Sequence, residues 1–333
     1  MDYGATPDDA TDDRAAIQAA LDAASGGTLC IPEGRFVVGN APVGSYNRFA
    51  GVSTHGQHTG IHGSGPSTVL ALEGDRGGAG INGILAIDPG AADVTIRDFT
   101  IDTSGAWNTG EQTHGIQIGS GVGTGTVTDI RVERVRFVHP LPLVGRSGDC
   151  LRLLGSSDGL PAGAVTRVTV VGSTFLRCAR SGVSVQRNVH DLTVTASQFE
   201  SAGDQDIDVE PTGGGAVSGL VISGNALMNE TSGDGILLWS VQDTTVLGND
   251  IAWSLPSPTA SGVRIRPTVA SGERILILGN RVYRAGYSLY LHSTPLTFGS
   301  VSVVGNMGPP AHCTLPPSSL TALGNTWGTT CGV

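Results

Sequence analysis

The sequence predicts an all-β protein: a single right-handed parallel β-helix, a solenoid of stacked three-strand coils, with a short capping helix at its N-terminus. Three observations predict this fold. Short strands with alternating apolar residues recur every 24 to 35 residues, Gly-Asn pairs follow one strand type at a constant offset, and Gly supplies 50 of 333 residues. A repeat of this length built from period-2 strands is typical of a solenoid.

Two strand types alternate along the chain from about residue 90. The first type begins at residues 94, 130, 168, 192, 220, 245, 275 and 301, and the second at residues 115, 150, 182, 206, 235, 262 and 288. Because the spacing varies while the strand pattern persists, we expect the insertions to lie on one corner of the coil. The longer ones, Thr103–Gln112, Pro140–Ser147 and Ser254–Ala260, are predicted loops that wall a cleft.

From residue 220 onward, the first-type strands lead into a Gly-Asn pair. These pairs are Gly224-Asn225, Gly248-Asn249, Gly279-Asn280, Gly305-Asn306 and Gly324-Asn325. Asn tolerates the left-handed conformation of a sharp bend, and stacked Asn amides can hydrogen-bond from coil to coil. We therefore assign these residues to architecture.

The N-terminal segment differs from the repeat. A helix is predicted to open at Thr11-Asp12-Asp13-Arg14, to carry Ile17 and Leu21 on one face, and to stop at Gly26-Gly27. Such a helix covers the open end of a solenoid, where backbone groups and apolar interior would otherwise be exposed. The predicted organisation is one domain, with a cap and entry strands in residues 1–40, coils in 41–310 and a C-terminal cap segment in 311–333.

Composition narrows the choice of partner. The formal net charge is −10, with 19 Lys and Arg against 29 Asp and Glu, which argues against nucleic acid or an anionic membrane as the general partner. An anionic substrate stays possible, because a local Arg cluster can outweigh a remote acidic surface. No apolar run approaches the ~20 residues that span a bilayer.

The five Cys residues show no zinc-binding spacing, so no structural metal is predicted. Cys313 and Cys331 bracket the last segment and are able to close a loop if the protein is exported. For Cys30, Cys150 and Cys178, free buried thiols are an equally open interpretation.

Aligning the second-type strands predicts two rows of outward side chains. The first outward row is Gln117, Arg152, Ser184, Asp208, Leu237, Arg264 and Tyr290, and the second outward row is Gly119, Leu154, Gln186, Glu210, Trp239, Arg266 and His292. Coils lie about 4.8 Å apart and alternate residues about 6.6 Å apart. One contiguous patch on the solvated outer face is therefore expected from Asp208, Glu210, Trp239, Arg264, Arg266 and His292. Charge and aromatic rings at this density are unusual for the outer face of a solenoid.

Asp208 and Glu210 are the candidate catalytic pair, because their strand spacing is close to the ~6.5–9.5 Å between the acid and the base of an inverting glycosidase. His292 is a further acid–base candidate. Two other interpretations stay open: the carboxylates pair only with Arg264 and Arg266, or Asp204, Asp206 and Asp208 bind Ca²⁺. Apart from that possible Ca²⁺, no cofactor is predicted.

The predicted substrate-binding residues surround this pair. Trp239 offers a flat stacking surface for a sugar ring, and the other members are Arg152, Gln186, Arg187, Arg264, Arg266 and Tyr290. Asp149 and Asp234 share one offset before their strands and are interpreted as turn residues. Trp253 and Trp327 are interpreted as core or cap residues.

The N-terminal residues also carry a resemblance. Residues 2–5 (DYGA), 8–24 (DDATDDRAAIQAALDAA) and 26–36 (GGTLCIPEGRF) resemble the entry into the pectate-lyase-like β-helix superfamily. The resemblance implies a carbohydrate substrate and a secreted or phage-tail-associated protein, as a monomer or homotrimer, without naming a reaction. The Asp-Pro-His run of mannuronan epimerases and the Gly-His-Gly of polygalacturonases are absent, and Arg264-Ile-Arg-Pro267 is only faintly similar to the Arg-x-Pro of pectate lyases.

The sequence leaves three hypotheses for the function. The leading one is hydrolysis of glycosidic bonds in a polysaccharide or oligosaccharide with Asp208 and Glu210 as acid and base. The second is a lyase, in which an Arg or His removes a proton from a uronate. The third is a non-catalytic glycan-binding or tailspike-type module.

Overall fold

A computed structural model describes residues 3–39, 41–42, 49–75, 82–107, 113–121, 124–138, 148–157, 163–211, 215–230, 233–266, 274–292, 299–314 and 319–326. The N-terminal elements are α1 Arg14–Ala23, β1 Thr28–Ile31, β2 Gly34–Val37, β3 Ala41–Pro42, β4 Phe49–Ala50, β5 Val52–Thr54, β6 Gln57–Gly63, β7 Thr68–Asp75 and β8 Asn82–Ile87.

The central strands are β9 Ala92–Arg97, β10 Thr100–Trp107, β11 Thr113–Ile118, β12 Val127–Glu133, β13 Arg136–Val138, β14 Leu151–Leu153, β15 Val165–Val171, β16 Thr174–Leu176, β17 Val183–Val185, β18 Val189–Thr195, β19 Gln198–Glu200, β20 Ile207–Val209, β21 Val217–Ser223, β22 Ala226–Asn229, β23 Ile236–Trp239, β24 Val241–Leu247 and β25 Asp250–Arg266. The C-terminal strands are β26 Arg274–Leu278, β27 Arg281–Leu291, β28 Ser300–Val304, β29 His312–Cys313 and β30 Ser319–Leu323.

The strands stack into three parallel faces. Face A is β1, β6, β9, β12, β15, β18, β21, β24, β26, β28 and β30 in that spatial order. Face B is β2, β7, β10, β13, β16, β19, β22 and the first parts of β25 and β27. Face C is β5, β8, β11, β14, β17, β20, β23, the last parts of β25 and β27, and β29. Among the described strands, only β3 and β4 pair antiparallel.

This architecture confirms the predicted parallel β-helix. The first strand type of the sequence forms face A and the second forms face C. Face B is the third strand of each coil, and in the C-terminal coils it begins directly after the Gly-Asn turn. The ladders also continue past residue 310, because β29 and β30 add strands to faces C and A.

The interior is a continuous apolar column. Alternate residues of faces A and C point inward, as the fully buried Val94, Ile96, Ile116 and Ile118 show. Face B contributes a stack of three phenylalanines, Phe137, Phe175 and Phe199, with successive ring centroids 4.8 and 4.5 Å apart. Each coil therefore packs on its neighbours through like side chains.

The Asn residues of the Gly-Asn pairs form a ladder at the corner between faces A and B. Asn225, Asn249, Asn280 and Asn306 each donate Nδ2 to Oδ1 of the next Asn, at 2.9, 2.9, 2.9 and 3.1 Å, and the last acceptor is Asn325. The preceding Gly, with φ near +61°, takes the left-handed conformation that we had assigned to the Asn. The ladder confirms the predicted structural role of the amides.

The N-terminal helix is present and ends slightly earlier than predicted, at Ala23. Ile17, Ala20 and Leu21 are buried beneath it. Gln18 donates Nε2 to the backbone oxygen of Ser53 at 2.8 Å and accepts the N–H of Ser53 at 2.9 Å. Its amide thus takes the place of a neighbouring strand and covers the first edge of face C.

Two predictions about connections are wrong. Ser254–Ala260 is part of the long strand β25 and shifts register within it, because this segment connects face B to face C without leaving the sheet. Thr103 also lies in a strand, β10. The Pro140–Ser147 loop, the rest of the first loop beyond Trp107, and Trp327 lie outside the described residues, whereas Trp253 is buried as predicted.

Cysteine pairing also differs from the free-thiol interpretation. Cys150 and Cys178 form a disulfide, because both side chains point into the interior from neighbouring coils. Cys30 is a free thiol, and it is exposed rather than buried. Cys313 is disulfide-bonded, and Cys331 lies outside the described residues. No described helix is long and apolar enough to span a membrane.

Candidate functional site

Face C has the register that the sequence predicts. Gln117, Arg152, Ser184, Asp208, Leu237, Arg264 and Tyr290 occupy successive rungs, and the ladder continues to His312. In the second outward row, Trp239 pairs with Arg266. The predicted neighbours on this face are therefore real neighbours.

Their exposure differs from the prediction. The middle of the first outward row is buried rather than solvated: Arg152 is 8% exposed, Asp208 4% and Ser184 1%. One physical reason is Arg180, which lies in the turn between β16 and β17 and donates Nη2 to Oγ of Ser184 at 3.1 Å. The candidate carboxylate thus lies beneath other side chains at the edge of face C.

Burial decides the chemistry of Asp208. Loss of solvent raises its pKa to about 7, and the negative charges of Asp149, Glu210 and Asp204 act in the same direction, while the positive charge of Arg180 opposes them. Its Oδ1 is buried with no hydrogen-bond partner among the described residues. A carboxyl group in this state is partly protonated near neutral pH and is able to donate its proton.

Glu210 follows directly after β20 and is half-buried. Its backbone N–H donates to the carbonyl of Val185 at 2.9 Å, so it continues the ladder by one more residue. Two strand positions separate it from Asp208, a Cα spacing of about 6.6 Å. The two carboxyl groups therefore stand on the same face of one coil, one deep and one closer to solvent.

A buried ion pair lies beside them. Arg180 donates Nε and Nη2 to the two carboxylate oxygens of Asp149 at 2.7 and 2.8 Å. Asp149 is fully buried, and its Oδ1 also accepts the N–H of Ser181. Although burial alone disfavours its charge, the contact with His114 and the charge of Arg180 hold the pKa of Asp149 well below its usual range. Asp149 is thus more than the turn residue predicted from sequence.

His114 connects this ion pair to a predicted binding residue. Its Nε2 lies 3.0 Å from Nη1 of Arg152, and its Nδ1 lies 3.4 Å from Oδ2 of Asp149. The backbone N–H of Asp149 also donates to Nδ1 at 2.9 Å, so donors face both ring nitrogens and the ring is neutral. Complete burial lowers the pKa of His114 to about 4, which agrees with a neutral ring. Arg152 then donates Nη2 to Oε1 of Gln186 at 2.8 Å.

Arg264 and Arg266 do not pair with Asp208 and Glu210, which corrects the ion-pair interpretation. Arg264 lies 3.0 Å from Oδ2 of Asp234, and its guanidinium covers the ring of Tyr290 at 4.8 Å. Asp234 also accepts the N–H of Ser261, which lies in the next coil rather than in the turn of Asp234. It accepts a backbone N–H as predicted, but it connects two coils. Arg266 stacks over the ring of Trp239 at 4.3 Å, which leaves this indole only partly exposed.

Aromatic rings continue the site toward the C-terminus. Tyr290 stacks with Tyr287 and His312, with centroids 5.5 and 5.1 Å away, and meets His292 edge-on. Burial and the nearby Arg266 and Arg264 lower the pKa of His292. Three rungs separate His292 from Glu210, about 14 Å, so the structure does not bring it together with the carboxylates.

The Ca²⁺ interpretation lacks its cluster. Asp206 points into the solenoid rather than outward, because the chain bends at this corner, and it accepts a hydrogen bond from Asn229 at 2.8 Å. Burial raises its pKa to about 8. Across the part of the chain that the structure describes, no group of three or more His, Cys, Asp or Glu side chains is placed to hold a metal ion.

Arg187, a predicted substrate-binding residue, lies beside Gly121, on the N-terminal side of the carboxylates.

Sequence reasoning missed Arg180 and His114. One signal was present: the position just before each second-type strand holds His114, Asp149, Ser181, Gln205, Asp234, Ser261 and Tyr287. Comparing this position across coils marks His114 together with Asp149. Nothing in the repeat marks Arg180, because it lies in a turn.

The chain is similar to known proteins in its fold but not in its sequence. No protein-family model and no curated protein sequence matches the chain. Among solved structures, the tailspike gp49 of Acinetobacter baumannii bacteriophage Fri1, a capsular polysaccharide depolymerase, matches with a TM-score of 0.63 at 10% identity. The match covers 96% of this chain and 60% of the tailspike chain. The chain therefore shares its parallel β-helix fold with this and other solved structures.

Two further neighbours have different activities. The A-module of the Azotobacter vinelandii mannuronan C-5 epimerase AlgE4 matches with a TM-score of 0.60 at 20% identity, over 99% of this chain and 96% of that one. The catalytic unit of a GH87 α-1,3-glucanase from Streptomyces thermodiastaticus matches with a TM-score of 0.61 at 16% identity, over 98% and 64%. At these identities the likeness shows the fold alone.

Proposed function

We propose that this chain hydrolyses glycosidic bonds of a polysaccharide, with Asp208 as the general acid and Glu210 as the general base. The observation that carries the proposal is the contrast between two carboxyl groups on one coil. Asp208 is buried with a pKa raised to about 7, and Glu210 stands closer to solvent. Paired carboxyl groups in unlike environments are the acid–base arrangement of glycosidases.

The proposed step uses both groups at once. Asp208 donates its proton to the glycosidic oxygen as the bond from that oxygen to the anomeric carbon breaks. Glu210 accepts a proton from a water molecule whose oxygen attacks the anomeric carbon from the opposite side. Asp208 ends as a carboxylate and Glu210 as a carboxylic acid, and proton exchange with solvent resets the pair.

The surrounding side chains supply the binding surface in this proposal. Trp239, with Arg266 stacked on it, offers a face for a sugar ring on the C-terminal side, followed by Arg264 and Tyr290. Arg152, Gln186 and Arg187 offer donors and acceptors on the N-terminal side. The carboxylates lie between the two groups, so a glycan running along the solenoid axis has contacts on both sides of the cleaved bond.

A screen of neutral and uronate-containing polysaccharides tests the proposal. New reducing ends without ultraviolet absorbance from an unsaturated product support hydrolysis. Binding without new reducing ends from any glycan overturns the hydrolase and favours a non-catalytic tailspike-type module. The tailspike depolymerase among the fold neighbours supports a secreted or phage-tail setting for either function.

A lyase is the second candidate, and one observation favours it. Burial and two nearby arginines lower the pKa of His292, so its imidazole is neutral and able to accept a proton near Arg264 and Arg266. The arginines would neutralise the uronate carboxylate while His292 removes the adjacent proton. Unsaturated products that disappear in His292→Gln would establish this function in place of hydrolysis.

A further inference from the structure

The ion pair between Asp149 and Arg180 is a buried, doubly hydrogen-bonded contact that lies beside the proposed catalytic pair. Asp149 is fully buried, and both of its carboxylate oxygens accept from Arg180. The backbone of Arg180 is fixed as well: its N–H donates to the carbonyl of Gly148, and its carbonyl accepts the N–H of Asp204 at 2.8 Å. Its guanidinium therefore has little freedom to move.

The same guanidinium faces the candidate acid. Nη2 of Arg180 donates to Oγ of Ser184, and Ser184 is the rung directly beside Asp208 on face C. The positive charge that acts most strongly on Asp208 is that of Arg180, and Arg180 also interacts with the charge of Glu210. One cation thus stands beside both members of the proposed pair.

A covalent bond joins the two segments that carry the ion pair. Cys150 directly follows Asp149, and Cys178 lies two residues before Arg180 in the turn between β16 and β17. Both sulfurs are buried in the solenoid interior. Inside the solenoid, the disulfide therefore holds the turn of Arg180 against the segment of Asp149. The ion pair holds the same two segments together at the edge of face C.

We propose that the Asp149–Arg180 ion pair, tied by the Cys150–Cys178 disulfide, is a positioning clamp that holds a fixed positive charge against Asp208 and thereby controls the proton of the candidate acid. The clamp consists of these four residues. It rests on the proposed function, because it assigns Asp208 as the acid, and Asp149 and Arg180 act through Asp208 rather than on the substrate.

The clamp predicts opposite effects for its two charged members. Arg180→Met removes the cation that favours the ionised form of Asp208, so the titration midpoint of Asp208 rises by about one pH unit. Asp149→Asn removes a nearby anion and leaves the charge of Arg180 uncompensated beside Asp208, so the midpoint falls by a similar amount, about one unit. If the pair only supported the fold, both variants would lose activity while the midpoint of Asp208 stayed in place.

Two readouts follow these shifts in the full-length chain. The ¹³C signal of the Asp208 carboxyl group, assigned by its loss in Asp208→Asn, reports its titration without any substrate. The high-pH limb of kcat/KM on the cleaved polysaccharide is expected to move in the same directions as the NMR midpoint. Arg180→Lys, which keeps the charge, is expected to recover most of the wild-type midpoint.

Controls separate the clamp from general damage. Arg177→Met removes an exposed cation from the same turn and is expected to leave both readouts unchanged. If Arg180→Met fails to fold because Asp149 is left buried and unpaired, the double variant Asp149→Asn with Arg180→Met removes both charges. It is expected to show a smaller rise than the single change, because the two charges act on Asp208 in opposite directions.

The disulfide gives a third test. Cys150→Ala with Cys178→Ala loosens the turn, so the midpoint of Asp208 is expected to move in the direction of Arg180→Met, and kcat to fall several-fold with KM unchanged. An unchanged midpoint in both Arg180→Met and Asp149→Asn overturns the clamp, whatever the activity. Shifted midpoints in a protein that cleaves no glycan overturn the proposed function and leave the clamp standing.

Discussion

The Asn ladder and the carboxylate site are two buried polar columns of the same solenoid, and they differ in how completely their atoms are paired. In the ladder, Asn249 donates to both Ile222 and Asn280 and accepts from Asn225. In the site, Oδ1 of Asp208 is buried without a partner among the described residues. The Asn ladder satisfies its hydrogen bonds within the fold. The carboxylate site keeps one oxygen of Asp208 available for a hydrogen bond with a bound molecule.

The difference distinguishes architecture from chemistry in a repetitive fold. Fully paired buried amides stabilise the stack and have no reactive state to offer. A buried carboxyl group with an unused oxygen and a raised pKa costs stability and is typical of a functional site.

Loss of the proposed acid or base is expected to have the largest effect. Asp208→Asn and Glu210→Gln each remove a proton-transfer group and are expected to lower kcat by about 10²- to 10⁴-fold on the cleaved polysaccharide. Glu200→Gln on face B of the same coil is the matched control and is expected to keep the wild-type rate. Unchanged thermal unfolding would show that the losses are chemical, and a wild-type rate in either active-site variant would contradict the assignment.

The ladder predicts the reverse pattern, a loss of stability without a loss of chemistry. Asn280→Ala removes the acceptor of both the backbone N–H and the side-chain amide of Asn249, and a donor to the carbonyl of Val246. It is expected to lower the free energy of unfolding by about 3 kcal/mol. Asn325→Ala, at the partly exposed end of the ladder, is expected to cost about 1 kcal/mol. Denaturant unfolding measures both, and equal costs would argue against a ladder that depends on burial.

Asp206 adds a pH-dependent term to stability. Its pKa is about 8 in the fold and about 3.9 when unfolded, so the folded state holds the extra proton between these values, and stability falls as pH rises through this window. Asp206→Asn removes the titration and keeps an acceptor for Asn229. The variant is expected to gain up to about 1.4 kcal/mol per pH unit relative to wild type between pH 5 and 8. Parallel stability curves in urea across this range would contradict the buried carboxyl group.

Trp239 is expected to give the smallest effect. Trp239→Ala removes one stacking face and its cation–π contact with Arg266, so glycan binding is expected to weaken by about 5- to 10-fold. Tyr283→Ala removes an exposed aromatic side chain from face B and serves as the control. Calorimetric titration of inactive Asp208→Asn with the polysaccharide measures both, and equal losses would place the glycan elsewhere.

The fold and the strand register were predictable because each coil of a parallel β-helix repeats the same pattern of inward and outward residues. Period-2 alternation fixes which residues point outward, and the stacking of equal strands then places Ser184 beside Asp208 and Arg152 beside Ser184 without further information. The Gly-Asn pairs mark one corner in the same way. These features depend on backbone geometry that repeats from coil to coil.

The environment of the site was not predictable in this way. Arg180 lies in a turn whose path has no repeat, so its bidentate contact with Asp149 leaves no periodic signal. Asp206 breaks the alternation because the chain bends just before β20, which turns a residue two positions from Asp208 into the interior. The Cys150–Cys178 pairing depends on the same inward turn. The burial of Asp208 and the charges around it therefore became known only from the structure. They show that the candidate acid is buried, whereas the sequence predicted a solvated residue.

The most direct test of the proposed acid is the titration of Asp208 in the wild-type protein. ¹³C NMR of the carboxyl group, assigned by difference with Asp208→Asn, is expected to give a midpoint near pH 7, in keeping with a pKa of about 7. A midpoint near the ordinary ~3.9 of an aspartate would mean that the group is ionised at neutral pH and has no proton to donate. That result would contradict the assignment of Asp208 as the acid.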